Sequence, residues 1–155
     1  MTLLKVGSKA PEFSLLNQDG IEVKLKDFSG RYLVLYFYPK AMTPGCTTQA
    51  CSIRDLKQEL DDLGVVVLGV SPDPVARLQK FRDKHQLNFD LLADEDHAVA
   101  EAYGVWGLKK FMGKEYMGLI RTTFIVDPKG KVAEVLKKFT TAAHHQTLLD
   151  WFASK

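Results

Sequence analysis

The chain has 155 residues, of which 46% are hydrophobic and 26% charged, with a formal net charge of +2. That length suits one domain, residues 1–155, able to bury a single core, and the composition excludes fibrous, disordered and low-complexity classes. The charge is too small and the lysines too scattered for a nucleic-acid surface, and no apolar run is long enough to span a bilayer, which leaves a small-molecule or protein partner.

The opening MTLLKVGSKAPEF has no continuous apolar segment of the secretory kind, so the expected location is the cytoplasm. In a reducing cytosol a pair of cysteines is more readily catalytic, redox-active or metal-binding than a permanent staple. Residues 13–16 and 21–25 flank NQDG, whose Asp19-Gly20 is a strong turn signal, and predict an N-terminal β-hairpin. LVLYFY at 33–38 reads as a strand buried on both faces. A loop with two prolines and a glycine follows and delivers Cys46 to the start of a helix predicted over 46–63, with Gly64 as its stop.

GVVVLGV at 64–70 predicts a second buried strand, and Asp73-Pro74 an N-cap with proline at the first position of a helix reaching His85. Asp94 or Asp96 caps a shorter helix through HAVAEAYG, ended by Gly104. The stretch GVWGLKKFMGKEYMG (104–118) is expected to be a loop, with Trp106, Phe111, Tyr116 and Met117 either lining an entrance or packing beneath it. TTFIVD (122–127) and KVAEVLK (131–137) bracket Pro128-Lys129-Gly130 and predict a second hairpin. A helix over 141–153 closes the chain. Strands interleaved with helices and hairpins at both ends imply a three-layer α/β sandwich around a mixed sheet.

The chemistry lies in FYPKAMTPGCTTQAC (37–51), which holds both cysteines. A thiol at a helix N-terminus meets unpaired N–H groups and the positive end of the macrodipole, and both favour the reactive thiolate. If Cys46 and Cys51 share one regular helix, their Cα atoms stand roughly 8 to 9 Å apart and about 140° apart around the axis. A disulfide needs Cα atoms within about 7 Å, so the pair bridges only if the helix unwinds. Pro39, Thr43 and Cys46 form P-x-x-x-T-x-x-C, in which the Thr43 hydroxyl can reach a ligand over the sulfur. A peroxide held there builds negative charge on its departing oxygen, which helix N–H groups, Thr43 and a fixed arginine would stabilise.

This segment resembles the active-site segment of the peroxiredoxins, specifically their Q, or bacterioferritin comigratory, branch. GLIRTTFIVDPKGK (118–131) is similar to the family's later strand with its preceding arginine, and the G-x-x-A-P-x-F start, LLADEDHAVAEAYGVWG and the final helix extend the resemblance over nearly the whole chain. It implies a thioredoxin-like fold with an added N-terminal hairpin. It implies a peroxidatic role for Cys46, a hydroxyl partner in Thr43, a pocket shield in Pro39 and a thiolate and transition-state stabiliser in Arg121. Cys51 matches the resolving cysteine that some members carry five residues on. The implied cycle reduces hydrogen peroxide and organic hydroperoxides through a sulfenic acid and an intramolecular disulfide, recycled by a dithiol such as thioredoxin. A monomer is expected, with no cofactor and no metal. Ala41-Met42 replace acidic residues of many members, which is expected to alter the mouth of the pocket.

Other readings of the same residues stay open. Cys51 could pack inward as a small hydrophobe, Thr43 could be a helix cap, and Arg121 could be an ordinary cation at a strand end. The four histidines form no site, with His144 and His145 pointing to different sides of a helix. The alternatives to a peroxidase are a general thiol–disulfide oxidoreductase, for which the C-x-x-C spacing is missing, and a thioredoxin-like metal-binding protein.

Overall fold

The structure, a computed structural model, describes residues 3–137 and 139–154, and at Phe111 the backbone only. A seven-stranded mixed sheet runs in the order β2-β1-β5-β4-β3-β8-β9. Its strands are β1 (Ser14–Asn17), β2 (Glu22–Lys24), β3 (Leu33–Phe37), β4 (Val66–Ser71), β5 (Asp90–Ala93), β8 (Thr122–Val126) and β9 (Val132–Leu136). The central strands β3, β4 and β5 are parallel and joined through helices, whereas β1, β8 and β9 enter antiparallel through hairpins.

The centre of the sheet follows from alternation. All five residues of β3 are buried, as a strand covered on both faces requires. Val34 and Tyr36 point to one side, where they meet α1 (Pro44–Asp55), α2 (Lys57–Asp62), α3 (Val75–His85) and α5 (His144–Ala153) through Cys46, Ala50, Ile53, Leu60, Leu78, Phe81 and Leu148. Leu33, Leu35 and Phe37 point to the other, against Ala100 of α4 (Ala98–Ala102), Tyr103 and the N-terminal Phe13. Gly69 of β4 pairs with Tyr36, and a Cβ built there would stand 2.9 Å from that ring, so the residue is small because the tyrosine fills the space.

Both predicted hairpins form. In the first, Gly20 takes φ +74°, and the Asn17 side chain accepts from the N–H groups of Asp19 and Ile21. Four details depart from the sequence expectations. The helix predicted over 46–63 begins earlier, at Pro44, where proline costs no hydrogen bond, and it breaks at Leu56 (φ −118°, ψ 16°) into α1 and α2. Leu56 and Leu60, four residues apart, are both in the core. Asp73 does not cap α3, whose N-cap is Pro74 with no side-chain bond. Instead it reaches across to the cysteine loop. The short strand β5 was hidden in NFDLLAD, too brief a run to separate from the flanking loop.

The largest departure lies at 104–118, which is not a loop but a two-stranded hairpin of β6 (Trp106–Phe111) and β7 (Lys114–Leu119). Met112 and Gly113 turn it with φ of +52° and +79°, a pair of left-handed residues that matches the twist of the two strands. Asp94 and Asp96 were offered as alternative caps for α4, but its N-cap is His97 at φ +50°, and the two carboxylates reach its first N–H groups from further back. Asp94 accepts from the N–H groups of Val99 and Ala100, and Asp96 from that of Ala98.

Candidate active site

The carboxyl end of β3 runs into Pro39, half-buried, and then a loop held from outside its own sequence. The Ala41 N–H donates to Asp73 Oδ2 at 2.7 Å, the Ser71 hydroxyl donates to the same oxygen at 2.7 Å, and Arg77 Nη2 donates to the Ala41 carbonyl at 2.8 Å. Arg77 Nε lies 3.2 Å from Asp73 Oδ1, so the two side chains that grip Ala41 also pair with each other at the start of α3. With both backbone groups of Ala41 pinned, Met42 is left at φ +68°, a region that non-glycine residues enter only when their surroundings impose it. Ala41 itself is fully buried in the core and does not line an open mouth, contrary to the sequence expectation, while Met42 is half-buried.

Thr43 is the N-cap of α1. Its carbonyl accepts from the Thr47 N–H at 2.9 Å, but its side chain makes no cap bond. The hydroxyl donates instead to the Lys40 carbonyl at 2.7 Å, which uses its only proton and leaves its lone pairs to accept. Cys46 sits in the first turn beyond it, buried to 1% exposure, where backbone N–H groups lack partners inside the helix.

Arg121 arrives from the segment between β7 and β8. Its Nη2 donates to Cys46 Sγ at 3.0 Å, a contact that suits a negatively charged sulfur because a guanidinium can only donate. Cys51 lies in the same uninterrupted helix, half-buried, and both thiols are free. Among the described residues no group of three or more His, Cys, Asp or Glu side chains could hold a metal.

Three residues behind Arg121 were not found from the sequence. Arg121 Nη1 donates to Gln49 Oε1. Gln49 Nε2 lies 3.1 Å from His144 Nδ1, and His144 Nε2 lies 2.8 Å from Thr123 Oγ1. Gln49, His144 and Thr123 are all fully buried. Gln49 was legible in principle, since a residue three on from Cys46 shares its helix face. His144 was not, because its partners come from β8 and α1, far away in sequence. Lys109 of β6 was hidden by the loop expectation. Its Nζ donates to the Leu119 carbonyl at 2.9 Å, and its ammonium is held below the ordinary lysine range by burial and then by Arg121, with Cys46 pulling the other way.

Of the aromatic and apolar residues of this region, Trp106 stacks face to face on His97 at 3.9 Å and packs against the core, whereas Tyr116 and Met117 are exposed. The side chain of Phe111 lies outside the described residues.

Burial, followed by Arg121 and His145, pushes the His144 imidazole down to about 3 from an ordinary 6.5. Its folded value lies below its unfolded one, so the unfolded chain binds the extra proton, and stability is complete above about pH 6.5 and drains away as the pH falls towards 3. Between pH 7 and pH 5 the loss from this group is about 2 kcal/mol. Urea unfolding at the two pH values is expected to show that loss in the wild type and a correspondingly smaller one in His144→Phe. Equal losses would contradict the assignment.

A sequence profile described as the AhpC/TSA family matches residues 6–135. The chain is 53% identical over 151 residues to Peroxiredoxin Bcp of Escherichia coli, covering 97% of each chain. It is 48% identical over 141 residues to Peroxiredoxin Bcp of Bacillus subtilis, covering 91% of this chain and 90% of the other. Among solved structures it is similar to the bacterioferritin comigratory protein of Xanthomonas campestris, described with its alkyl peroxide reduction activity, at a TM-score of 0.88 and 32% identity over 99% of this chain and 98% of that one.

Proposed function

The chain belongs to the AhpC/TSA family, and from that premise we propose that Cys46 is the sulfur that meets the peroxide and Cys51 the one that resolves it. The activity is that of a peroxiredoxin, a thiol-dependent peroxidase of thioredoxin-like fold that consumes a peroxide and a thiol reductant. The observation that carries the assignment of Cys46 is its place in the first turn of α1 with Arg121 Nη2 3.0 Å from its sulfur.

In the first step the Cys46 thiolate attacks one peroxide oxygen in line with the O–O bond. The S–O bond forms, the O–O bond breaks, and the departing oxygen leaves as water or an alcohol after taking a proton. Arg121 and the first N–H groups of α1 face the charge that develops. Thr43, its proton already given to Lys40, accepts from the peroxide O–H and so aligns it. Pro39 shields the sulfur from bulk water.

In the second step the Cys51 sulfur attacks the sulfenic sulfur, a disulfide forms, and water leaves. Both cysteines lie within α1, so this step needs the helix to unwind between them. An external dithiol then reduces the disulfide by exchange. Thioredoxin is the reductant we assign, and hydrogen peroxide and organic hydroperoxides the substrates, the latter supported by the alkyl peroxide activity described for the Xanthomonas relative. We read the chain as one domain, monomeric and cytoplasmic. Two free thiols poised for exchange suit a reducing compartment, and no helix among the described residues is long and apolar enough to cross a membrane.

The test of the resolving role is Cys51→Ser, followed by NADPH oxidation through a thioredoxin system. One peroxide is still expected to be consumed per protein, while sustained turnover falls about tenfold or more as the sulfenic acid proceeds to irreversible oxidation. Turnover equal to the wild type would remove Cys51 from the cycle.

A further inference from the structure

Gln49, His144 and Thr123 link three separate elements, α1, α5 and β8, directly behind the arginine that touches Cys46. The direction of every bond in this link is fixed. A guanidinium only donates, so Arg121 forces Gln49 to present Oε1 to it and therefore Nε2 to His144. An amide nitrogen only donates, so His144 Nδ1 must carry no proton. The imidazole proton then sits on Nε2 and is given to Thr123 Oγ1. Each group donates to the next in a single run from Arg121 to Thr123. Such runs strengthen one another in a dry interior, and all three residues behind Arg121 are fully buried.

The imidazole has little freedom to leave. It stacks on Phe139 at 4.4 Å and lies 5.7 Å from the Tyr36 ring. Its depressed proton affinity is consistent with a group that must stay neutral to serve Gln49.

Gln49 also stands between Cys46 and Cys51 in the chain. When those two cysteines join, the backbone that carries Gln49 has to leave its helical position, and the amide cannot keep both partners. Whatever holds Gln49 in place therefore favours the first step of the cycle over the second.

We propose that His144 is a positioning residue that acts through Gln49, holding Arg121 on Cys46 for the peroxide step and latching α1 against the unwinding that lets Cys51 react. The proposal rests on the roles given above to Cys46 and Cys51. It makes α5 the element that sets the balance between attack on peroxide and closure of the disulfide, and hence the time for which the sulfenic acid is open to overoxidation.

The experiment is rapid mixing of the full-length reduced protein with hydrogen peroxide, acid quench, and mass spectrometry. It resolves sulfenic acid formation from disulfide formation in the wild type, His144→Phe, His144→Asn and Thr123→Val. The phenylalanine keeps the ring stack but offers Gln49 no acceptor. The asparagine offers it an oxygen. The valine keeps the shape of Thr123 while removing the anchor of the imidazole, and guards against poor folding of a His144 variant. In His144→Phe, sulfenic acid formation is expected to slow about tenfold, the scale of one hydrogen bond to a charged partner network, while disulfide formation speeds up several-fold. Thr123→Val should move both rates in the same directions by less, and His144→Asn should recover part of each.

Rates within about twofold of the wild type in both His144→Phe and Thr123→Val would overturn the proposal, as would both steps slowing together, which is what general loosening of the fold gives. If the wild type forms no Cys46–Cys51 disulfide, the resolving role of Cys51 fails instead, and the latch fails with it. The positioning of Arg121 is then decided by the rate of sulfenic acid formation alone.

Discussion

Cys46→Ser is expected to abolish peroxide turnover, by roughly 10³-fold or more, while leaving the protein folded. Serine is nearly the shape of cysteine, and at a site of 1% exposure its hydroxyl can still accept from Arg121 Nη2, so no buried group is orphaned. The fold should therefore report little change in thermal unfolding. An alcohol is far less readily ionised than a thiol and does not attack a peroxide, so the chemistry has no substitute nucleophile. Cys51 cannot take over, because it sits further along α1, away from the free N–H groups of the first turn and from the Arg121 contact. Peroxide consumption within tenfold of the wild type would show that the reacting sulfur has been misplaced.

Arg121→Ala is expected to slow the peroxide step by about 10²- to 10³-fold, the cost found for losing one well-placed donor at a developing oxyanion. The side chain does two things in opposite directions. One arm of its fork donates to the Cys46 sulfur and the other to Gln49. Alanine removes both, and it leaves the buried Gln49 oxygen without its donor, so some destabilisation is expected as well. Lysine is the informative control. It restores the charge but presents it as a compact ammonium that lacks the planar fork, and it is expected to recover only part of the rate. Single-turnover rates for Arg121→Ala within about threefold of the wild type would move the stabilising role to another group. Lys109 is a candidate, since its ammonium senses both Arg121 and Cys46.

The fold was largely legible because its signals are local. The apolar run of β3, the Asp19-Gly20 and Pro128–Gly130 turns and the amphipathic final helix each specify an element within a dozen residues. The β6–β7 hairpin was missed because its turn is Met112-Gly113 rather than the Asn-Gly or Asp-Gly that announces a two-residue loop. Apolar residues that remain exposed on it, such as Leu108 and Met117, blur the alternation. The break at Leu56 was invisible for a different reason, since no glycine or proline stands there to announce it.

In the site, the residues proposed to bear the chemistry were easier to read from the sequence than the residues that hold them. Cys46 and Thr43, to which the proposed chemistry is assigned, stand out by spacing, whereas Arg121 was singled out only by the resemblance of its segment to the family's later strand. Asp73 was assigned to the wrong partner: from the sequence it caps its own helix, whereas in the fold it anchors Ala41 some thirty residues back. His144 was passed over with His145 as one of two adjacent histidines pointing to different sides of a helix, and it is fully buried. Both misreadings have the same origin. A polar side chain's nearest neighbour in sequence is a poor guide when a buried partner from a distant segment is available at hydrogen-bond distance.

The most direct measurement treats the reduced protein with one equivalent of hydrogen peroxide, blocks the remaining thiols by alkylation, and weighs the tryptic peptide 41–54, which contains both cysteines. The expected product is a peptide lighter by two hydrogen atoms and closed to alkylation at both sulfurs, and in Cys51→Ser a sulfenic acid trapped on Cys46. A peptide that still takes up two alkyl groups after the peroxide is consumed, or a sulfenic acid found on Cys51 with Cys46 alkylated, would contradict the account.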